Sequence, residues 1–380
     1  MDFELTDEQR LVQETARDFA DRVLKPAAAR LDREERFPLE HWKPLAELGF
    51  FGFLIPEDYG GTGLGNVALS LALEEINRAC ASTGVTVSVQ NSLVAGPVVK
   101  HGTEAQKRKY LPRIANGELI CAYAMTEPGH GSDAAAMETR AVRKGDRYNL
   151  TGRKAWITSG ASAGLLIVFA TVDRLLGSKG ITAFLVEKGA KGLSVGKHEK
   201  KLGIRGSETV ELELDEVEVP AENVLGEEGK GFRLALDTLD GGRIGIASQA
   251  TGILVACLED SVKYARERKQ FGKAIAEFQP IQWKLSNMAV DLDTSRLLTW
   301  RAAWLRDAKK PHSKEASMAK LFASEAANRA ATQAVQIYGG AGYLKDFPVE
   351  RYYRDAKITE IYEGTSEIQR IVLARSVLEK

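Results

Sequence analysis

The residues best placed to do chemistry lie near the C-terminus, in the string Ile361-Tyr362-Glu363-Gly364-Thr365-Ser366. Glu363 stands among apolar and small residues, beside a glycine and just before a helical pattern. The string admits two readings. One is an ordinary helix start with Ser366 as N-cap. The other is a general base. A carboxylate moved out of water has its pKa raised from about 4.3 by up to several units, each worth about 1.4 kcal/mol. Such a base can take a proton from carbon, provided the resulting negative charge is held elsewhere.

Other candidate chemistry is weaker. Histidines stand at 41, 101, 130, 198 and 312, none paired at metal-ligand spacing, so no metal site is expected. Two Ser-x-x-Lys strings, Ser194 to Lys197 and Ser317 to Lys320, lack the companion motifs of acylating serine enzymes and read as chance. Gly129-His130-Gly131-Ser132-Asp133-Ala134 fits a loose G-x-G-x-x-(G/A) pattern. Pro128 before it and a hairpin signal after it disfavour the strand-to-helix turn of a dinucleotide fold. Glycines that let backbone approach a flat or phosphorylated ligand, or a plain turn, remain as its readings. Cys80, Cys121 and Cys257 are far apart and odd in number, which argues against a disulfide framework and for a reducing cytoplasmic setting.

Composition bounds the partners. With 52 Lys+Arg against 52 Asp+Glu the formal charge is zero, so no long-range field draws nucleic acid or an anionic membrane. Apolar residues at 44% and charged residues at 27% suit a chain with a sizeable core and exclude intrinsic disorder. No continuous apolar run approaches 18 residues, so no membrane insertion is expected. The acidic start (Asp2, Glu4, Asp7, Glu8) has neither the basic nor the apolar region of a targeting segment.

The elements that must position these residues fall into three blocks. Residues 1–119 read as helical. Thr6-Asp7-Glu8-Gln9 and Thr103-Glu104-Ala105-Gln106 are capping boxes. Leu11, Val12, Ala16, Phe19, Ala20, Val23 and Leu24 recur at helical spacing, and the stripe thins at Pro26. Further helical stretches run over 67–78, 85–101 and 107–115, after a glycine-rich loop at 56–65. Residues 120–224 turn β-rich. Short runs at 139–142, 148–150, 155–158, 165–171, 181–186, 193–195, 209–214 and 217–219 suggest a small barrel or sandwich, with a hairpin at Lys144-Gly145-Asp146. Residues 225–380 return to helical spacing. Long helices over 231–268, 279–308 and 314–338 suit a four-helix bundle with antiparallel neighbours. The order α, β, α lacks the alternation of a single parallel sheet.

Six strings, in order and in the matching blocks, resemble the acyl-CoA dehydrogenase family over nearly the whole chain. They are Tyr-Ala-Met-Thr-Glu-Pro-Gly-His-Gly-Ser at 123–132, Lys-Ala-Trp-Ile-Thr at 154–158, Lys-Leu-Gly-Ile-Arg-Gly-Ser at 201–207, Glu-Arg-Lys-Gln-Phe-Gly at 267–272, Gln-Ile-Tyr-Gly-Gly at 336–340 and Ile-Tyr-Glu-Gly-Thr at 361–365. The resemblance implies an α+β multidomain fold: a helical N-terminal domain, a middle β-barrel domain and a C-terminal four-helix bundle. FAD would lie between the middle domain and the bundle. Tyr123, Met125, Thr126, Gly131, Ser132, Trp156, Ile157 and Thr158 would surround its ring. Arg268, Phe271, Gln279, Gln336, Gly339 and Gly340 would reach the FAD of a neighbouring subunit, and Thr365 and Glu367 would touch it from the final segment. Ser132, Asp240 and Arg243 would meet CoA, and Gly364 the acyl end.

The resemblance makes Glu363 the base. Some relatives carry theirs one residue before the arginine that here is Arg243, and this chain has Gly242 there. The implied reaction is α,β-dehydrogenation of an acyl-CoA to the trans-2-enoyl-CoA, as in fatty acid β-oxidation or branched amino-acid catabolism. Glu363 removes the α-proton, flavin N5 accepts the β-hydride, and electrons pass to electron-transferring flavoprotein. The strings at 239–249 and 298–303 look closest to the short-chain, butyryl-CoA, members. A homotetramer built as a dimer of dimers is implied. The alternatives are a branched short-chain or glutaryl-CoA dehydrogenase, an acyl-CoA oxidase, or a helical scaffold without activity.

Overall fold

The computed structural model describes residues 4–378, so Asp2 of the acidic start and the outermost residues of the first and third blocks lie outside the described residues. Both capping boxes form. The Gln9 N–H donates to Thr6 Oγ1 (3.2 Å) and the Thr6 N–H to Gln9 Oε1 (3.1 Å), starting the helix Asp7–Phe19. Thr103 and Gln106 repeat the exchange at 3.3 and 3.0 Å before Glu104–Ala115. The first helical run does not stop at Pro26. A π-helical turn, Ala20–Leu24, leads into the helix Lys25–Glu34, and Pro26 sits in its first turn, where a missing N–H is tolerated.

The expected stretch 85–101 is also interrupted, into Ala81–Ser88, a π-helical segment Val89–Ala95, and Gly96–His101. Two buried amides hold the wide turn in place. Asn91 Nδ2 donates to Phe50 O (2.8 Å) and Val87 O (3.1 Å). Gln90 donates to Leu119 O (2.6 Å) and accepts from the Cys121 N–H (2.9 Å), tying this segment to the next block.

That block is one eight-stranded sheet. Its order is Leu193–His198, Thr209–Pro220, Arg147–Thr158, Arg140–Lys144, Leu165–Thr171, Ile181–Glu187, Val224–Leu225, with Cys121–Ala124 lying parallel to Leu165–Thr171 off this path. The strands Arg147–Thr158 and Thr209–Pro220 each join two runs that the sequence pattern separates. Bulges at Leu150/Gly152 and Lys154/Ile157 break the alternation between them. Cys121–Ala124 is the strand that precedes the Gly129-His130-Gly131 string.

The strand Leu165–Thr171 is buried along its whole length because both faces are covered. Leu165, Ile167 and Phe169 pack with Tyr110, Leu111 and Ile114 of the helical block. Leu166, Val168 and Ala170 pack with Tyr148, Leu150, Leu212 and Val217 from other strands of the same sheet. The sheet therefore curls over a core of its own on one face and docks on helices with the other.

The third block holds the helices Gly231–Glu267, Gln279–Asp307, Ser313–Tyr338 and Ser366–Leu378. Ala316, Ala319, Ala323, Ala326, Ala327, Ala330, Ala331 and Ala334 form the buried face of Ser313–Tyr338, and such small side chains let neighbouring helices approach closely. The helix Gly231–Glu267 bears on the membrane question. It contains an 18-residue window of mean hydropathy 1.2, long and apolar enough to span a membrane by composition. That window is 94% buried inside the protein, so the helix is the core of the bundle. Its apolar residues form no unbroken run, because Arg243, Ser248, Gln249 and Thr251 interrupt them.

The middle block and the bundle meet at a buried carboxylate. Asp355 Oδ1 accepts the Ile204 N–H at 2.5 Å, and Arg354 beside it pairs with Asp32 of the first block at 2.7 Å. Burial pushes the Asp355 carboxyl up to about 6. The string 201–207 is thereby pinned to the bundle, next to the cleft described below.

Candidate active site

Two cavities share a wall. The larger, about 630 Å³, is lined from the middle block by Thr126, Gly131, Ser132, Trp156 and Thr158, and from the last segment by Tyr362, Glu363, Gly364 and Thr365. The smaller, about 220 Å³, has the same wall from Thr126 to Gly364, and adds Val85, Val89, Leu93, Tyr123, Met125, Leu236, Leu239 and Arg243. Val85, Val89 and Leu93 are four residues apart, one face of the run that includes the π-helical segment.

Glu363 lies between these cavities. Its Oε2 is shielded from solvent and has no hydrogen-bond partner among the described residues. Burial raises its pKa to about 7, against the pull of Lys320 and then Arg243. Its backbone is left-handed (φ 53°), as is that of Gly364 (φ 92°). A non-glycine residue held there costs on the order of 1–3 kcal/mol, which the surroundings must outweigh. They do so through carbonyls. Lys320 Nζ donates to Gly364 O at 2.5 Å, Gln369 Nε2 donates to the same oxygen at 2.9 Å, and it reaches Glu363 O at 3.4 Å. The helix start is not as the N-cap reading has it. Ser366 Oγ is buried without a partner, and Thr365 Oγ1 accepts the Ile368 N–H at 3.4 Å.

Gly242 makes room for the carboxylate. A Cβ built there would lie 1.9 Å from Glu363 Oε2 and 2.9 Å from Leu93 Cδ2. A base carried at position 242 and one at 363 therefore compete for the same space. Arg243, next along the helix, is buried and donates to Asp240 Oδ1 (2.7 Å) and Ser317 Oγ (3.4 Å), with its Nε unpaired. Asp240 does not line either cavity; it holds Arg243 and accepts from Ser313 Oγ at 3.1 Å.

A buried brace joins the two middle-block segments. Lys154 Nζ donates to Met125 O (3.0 Å) and Glu127 Oε1 (2.9 Å), and the Ala155 N–H donates to Thr126 O (2.9 Å). Glu127 also accepts the N–H groups of Glu138 (2.5 Å) and Thr139 (2.9 Å). Burial pulls Lys154 down to about 8. Burial opposes the Glu127 carboxylate, but Lys154 and these N–H donors outweigh it and keep its pKa below the usual range. Trp156 follows in a left-handed conformation (φ 57°), at the bulge that turns its ring out to the larger cavity. Ile157 points the other way, into the sheet's own core. Glu127 and His130 close a turn through mutual backbone hydrogen bonds, and a three-residue 3₁₀ turn, Ala134–Ala136, follows. A dinucleotide-type helix does not open there, while Gly131 and Ser132 border both cavities.

The hydroxyls of Thr126, Thr158 and Ser132 make no hydrogen bond among the described residues and are free for a ligand. Thr365 and Glu367 also line a shallow polar cavity with Lys357 and Arg370. Arg268, Phe271, Gln279, Gln336, Gly339 and Gly340 are exposed and border neither main cavity. Among the described residues no cluster of metal-ligating side chains occurs. Sequence reasoning missed Lys320, Gln369, Leu93 and Val89. Lys320 did leave a signal: it interrupts the alanine stripe at a position that faces the core.

Three sequence models of one family match successive stretches of the chain. The sequence model described as "Acyl-CoA dehydrogenase, N-terminal domain" matches residues 6–118, the "middle domain" 122–217 and the "C-terminal domain" 229–378. The mouse protein "Short-chain specific acyl-CoA dehydrogenase, mitochondrial" is 53% identical, covering 99% of this chain and 91% of its own. The structure of butyryl-CoA dehydrogenase from Megasphaera elsdenii superposes with a TM-score of 0.98 at 44% identity, covering 100% of both chains. A chain from the structure "Electron transferring flavoprotein of Acidaminococcus fermentans: Towards a mechanism of flavin-based electron bifurcation" gives 0.99 at 46%, also with 100% coverage of both.

The Lys154–Glu127 brace carries a stability expectation. Lys154→Met leaves a buried carboxylate unpaired and should cost about 3–5 kcal/mol. Adding Glu127→Gln should recover part of that loss, because no unpaired charge then remains. Thermal unfolding of the two variants checks this, and an unchanged midpoint in the single variant contradicts it.

Proposed function

This chain belongs to the acyl-CoA dehydrogenase family, and on that premise we propose that it oxidises a short-chain acyl-CoA, such as butyryl-CoA, to the trans-2-enoyl-CoA, with Glu363 removing the α-proton. The observation that carries the reading is the Glu363 carboxylate, its Oε2 shielded and without a hydrogen-bond partner among the described residues, at the wall of a small apolar cavity. That cavity, about 220 Å³ with Val85, Val89, Leu93, Leu236 and Leu239 in its lining, suits a short saturated acyl group. Its only lining cation is Arg243, already paired with Asp240, which speaks against a second carboxylate on the substrate.

FAD is the cofactor of this family, and the larger cavity fits it: an apolar slot of about 630 Å³ edged by unpaired hydroxyls at Thr126 and Thr158. When bound, it takes up the hydrogen leaving the β-carbon as a hydride, and the electrons pass on to electron-transferring flavoprotein. The chain's own residues do the rest. Trp156 and Tyr362 keep water from the reacting carbons. The Glu363 N–H makes no hydrogen bond among the described residues and can donate to the thioester carbonyl as the α-carbon loses its proton. One such donor is worth about 3–4 kcal/mol in the transition state. The carboxylate itself, held near pKa 7 by burial, is a stronger base than an exposed one yet is still ionised enough to act.

The proposal includes a homotetramer, a dimer of dimers. Phe271 is 93% exposed and Arg268 has no ion-pair partner among the described residues, so both are available to a second copy's cofactor. Trp283, Val290, Leu297 and Trp304 are exposed along Gln279–Asp307 at seven-residue spacing, an apolar stripe of the kind that a partner helix covers. It also includes a cytoplasmic setting, supported by three free, buried cysteines.

Glu363→Gln should bind FAD yet lose bleaching of the flavin by butyryl-CoA by about 10²–10⁴-fold, as for removal of a general base. Normal bleaching would remove Glu363 from the mechanism. In the parent enzyme kcat/KM should fall about tenfold per pH unit below pH 7, because protonated Glu363 cannot accept the proton. A flat profile from pH 5 to 8 would contradict this. Arg268→Ala should release FAD more readily on dilution; unchanged FAD content would break the cross-subunit assignment.

A further inference from the structure

Ser317 and Lys320 form one of the two Ser-x-x-Lys strings that look accidental in the sequence. Both are fully buried, one turn apart on the alanine face of Ser313–Tyr338. They do not face each other as a nucleophile and its base would. Ser317 Oγ accepts from Arg243 Nη1, and Lys320 Nζ turns to Gly364 O. That carbonyl is the only hydrogen-bond acceptor of the Lys320 ammonium among the described residues. An ammonium has three donors, so a lysine buried on one carbonyl is costly to keep charged unless a negative group lies close by.

We infer that Lys320 is a positioning residue for the reaction: its buried ammonium anchors the left-handed turn at Gly364 and supplies the fixed positive charge that keeps the Glu363 carboxylate ionised in a dry site. The inference rests on Glu363 being the base. The helix Gly231–Glu267 presents Arg243, which Asp240 largely neutralises at 2.7 Å. The last segment and helix present Glu360, Tyr362 and Glu367, and the strand Cys121–Ala124 presents Tyr123, a neutral phenol. Of the two cations that act on the Glu363 carboxylate, Lys320 is thus the one with no carboxylate in ion-pair contact among the described residues. The mutual influence runs both ways: burial brings Lys320 down to about 8, and Glu363 is the first group that opposes this. At neutral pH the site therefore holds a base and a cation that both titrate within reach of working conditions.

Two neutral replacements separate the anchor from the charge. Lys320→Gln keeps a donor for the Gly364 carbonyl and drops the charge; Lys320→Met drops both. In holoenzyme, the acid limb of kcat/KM for butyryl-CoA should move up by about one pH unit or more in both, since a lost neighbouring cation disfavours the carboxylate. Lys320→Gln should approach the parent rate above pH 9, Lys320→Met should stay below it, and Lys320→Arg should return the limb to its parent position. A limb that stays in place in a FAD-loaded Lys320→Gln enzyme would overturn the inference, as would a Lys320→Gln protein unable to hold FAD. Glu363→Gln in the same series keeps the two claims apart. If it turns over normally, the base is misassigned; if it is inactive while the Lys320 limb stays fixed, only the role of Lys320 fails.

Discussion

A carboxylate held out of water with one oxygen unpaired is unstable unless the fold compels it, and the structure around Glu363 is organised by that demand. The side chain occupies space that a single methyl group at Gly242 would fill. Its backbone is left-handed, followed by a second left-handed residue. Two donors on two helices, Lys320 and Gln369, hold the carbonyls of that turn. Glycine within a helix costs roughly 0.5–1 kcal/mol relative to alanine, so Gly242 is a local loss of helix stability that leaves room for the Glu363 carboxylate.

The wider architecture follows from bringing three separate surfaces to one point. The bundle supplies the carboxylate, and its alanine stripe lets the helices close around it. The curled sheet supplies Thr126, Trp156 and Thr158, two segments locked together by the Lys154–Glu127 brace. The first block supplies Val85, Val89 and Leu93 at the end of the small cavity, on a run that a π-helical segment keeps in line. Neither cavity is built by one block alone. Asp355, accepting the Ile204 N–H, and Arg354, paired with Asp32, tie those blocks into one body at the edge of the cleft.

Much of this was legible in the sequence because it is local. The capping boxes at Thr6 and Thr103, the long helices and the strand Leu165–Thr171 declare themselves by spacing. Glu363 was legible only as one of two readings until the six strings were taken together. What stayed hidden depends on neighbours distant in the chain. Pro26 does not end its helical run because a π-helical turn precedes it. Lys320 is visible as a lysine among alanines, but its partner is a carbonyl 44 positions away. Phe271 and Arg268 are exposed and border neither main cavity, so nothing around them in this chain reveals the role proposed for them above.

The most direct measurement is the anaerobic rate at which butyryl-CoA bleaches the flavin of a Gly242→Ala enzyme. The added methyl group would meet Glu363 and Leu93 first, and it must push the Glu363 carboxylate aside from a contact of 1.9 Å. A misplacement of about 1 Å can cost on the order of a hundredfold in rate. The expected result is a loss of that size with the flavin spectrum and FAD content unchanged. A parent-like rate in that variant would mean that the carboxylate does its work from somewhere other than the space over Gly242, and the site described above would be wrong at its centre.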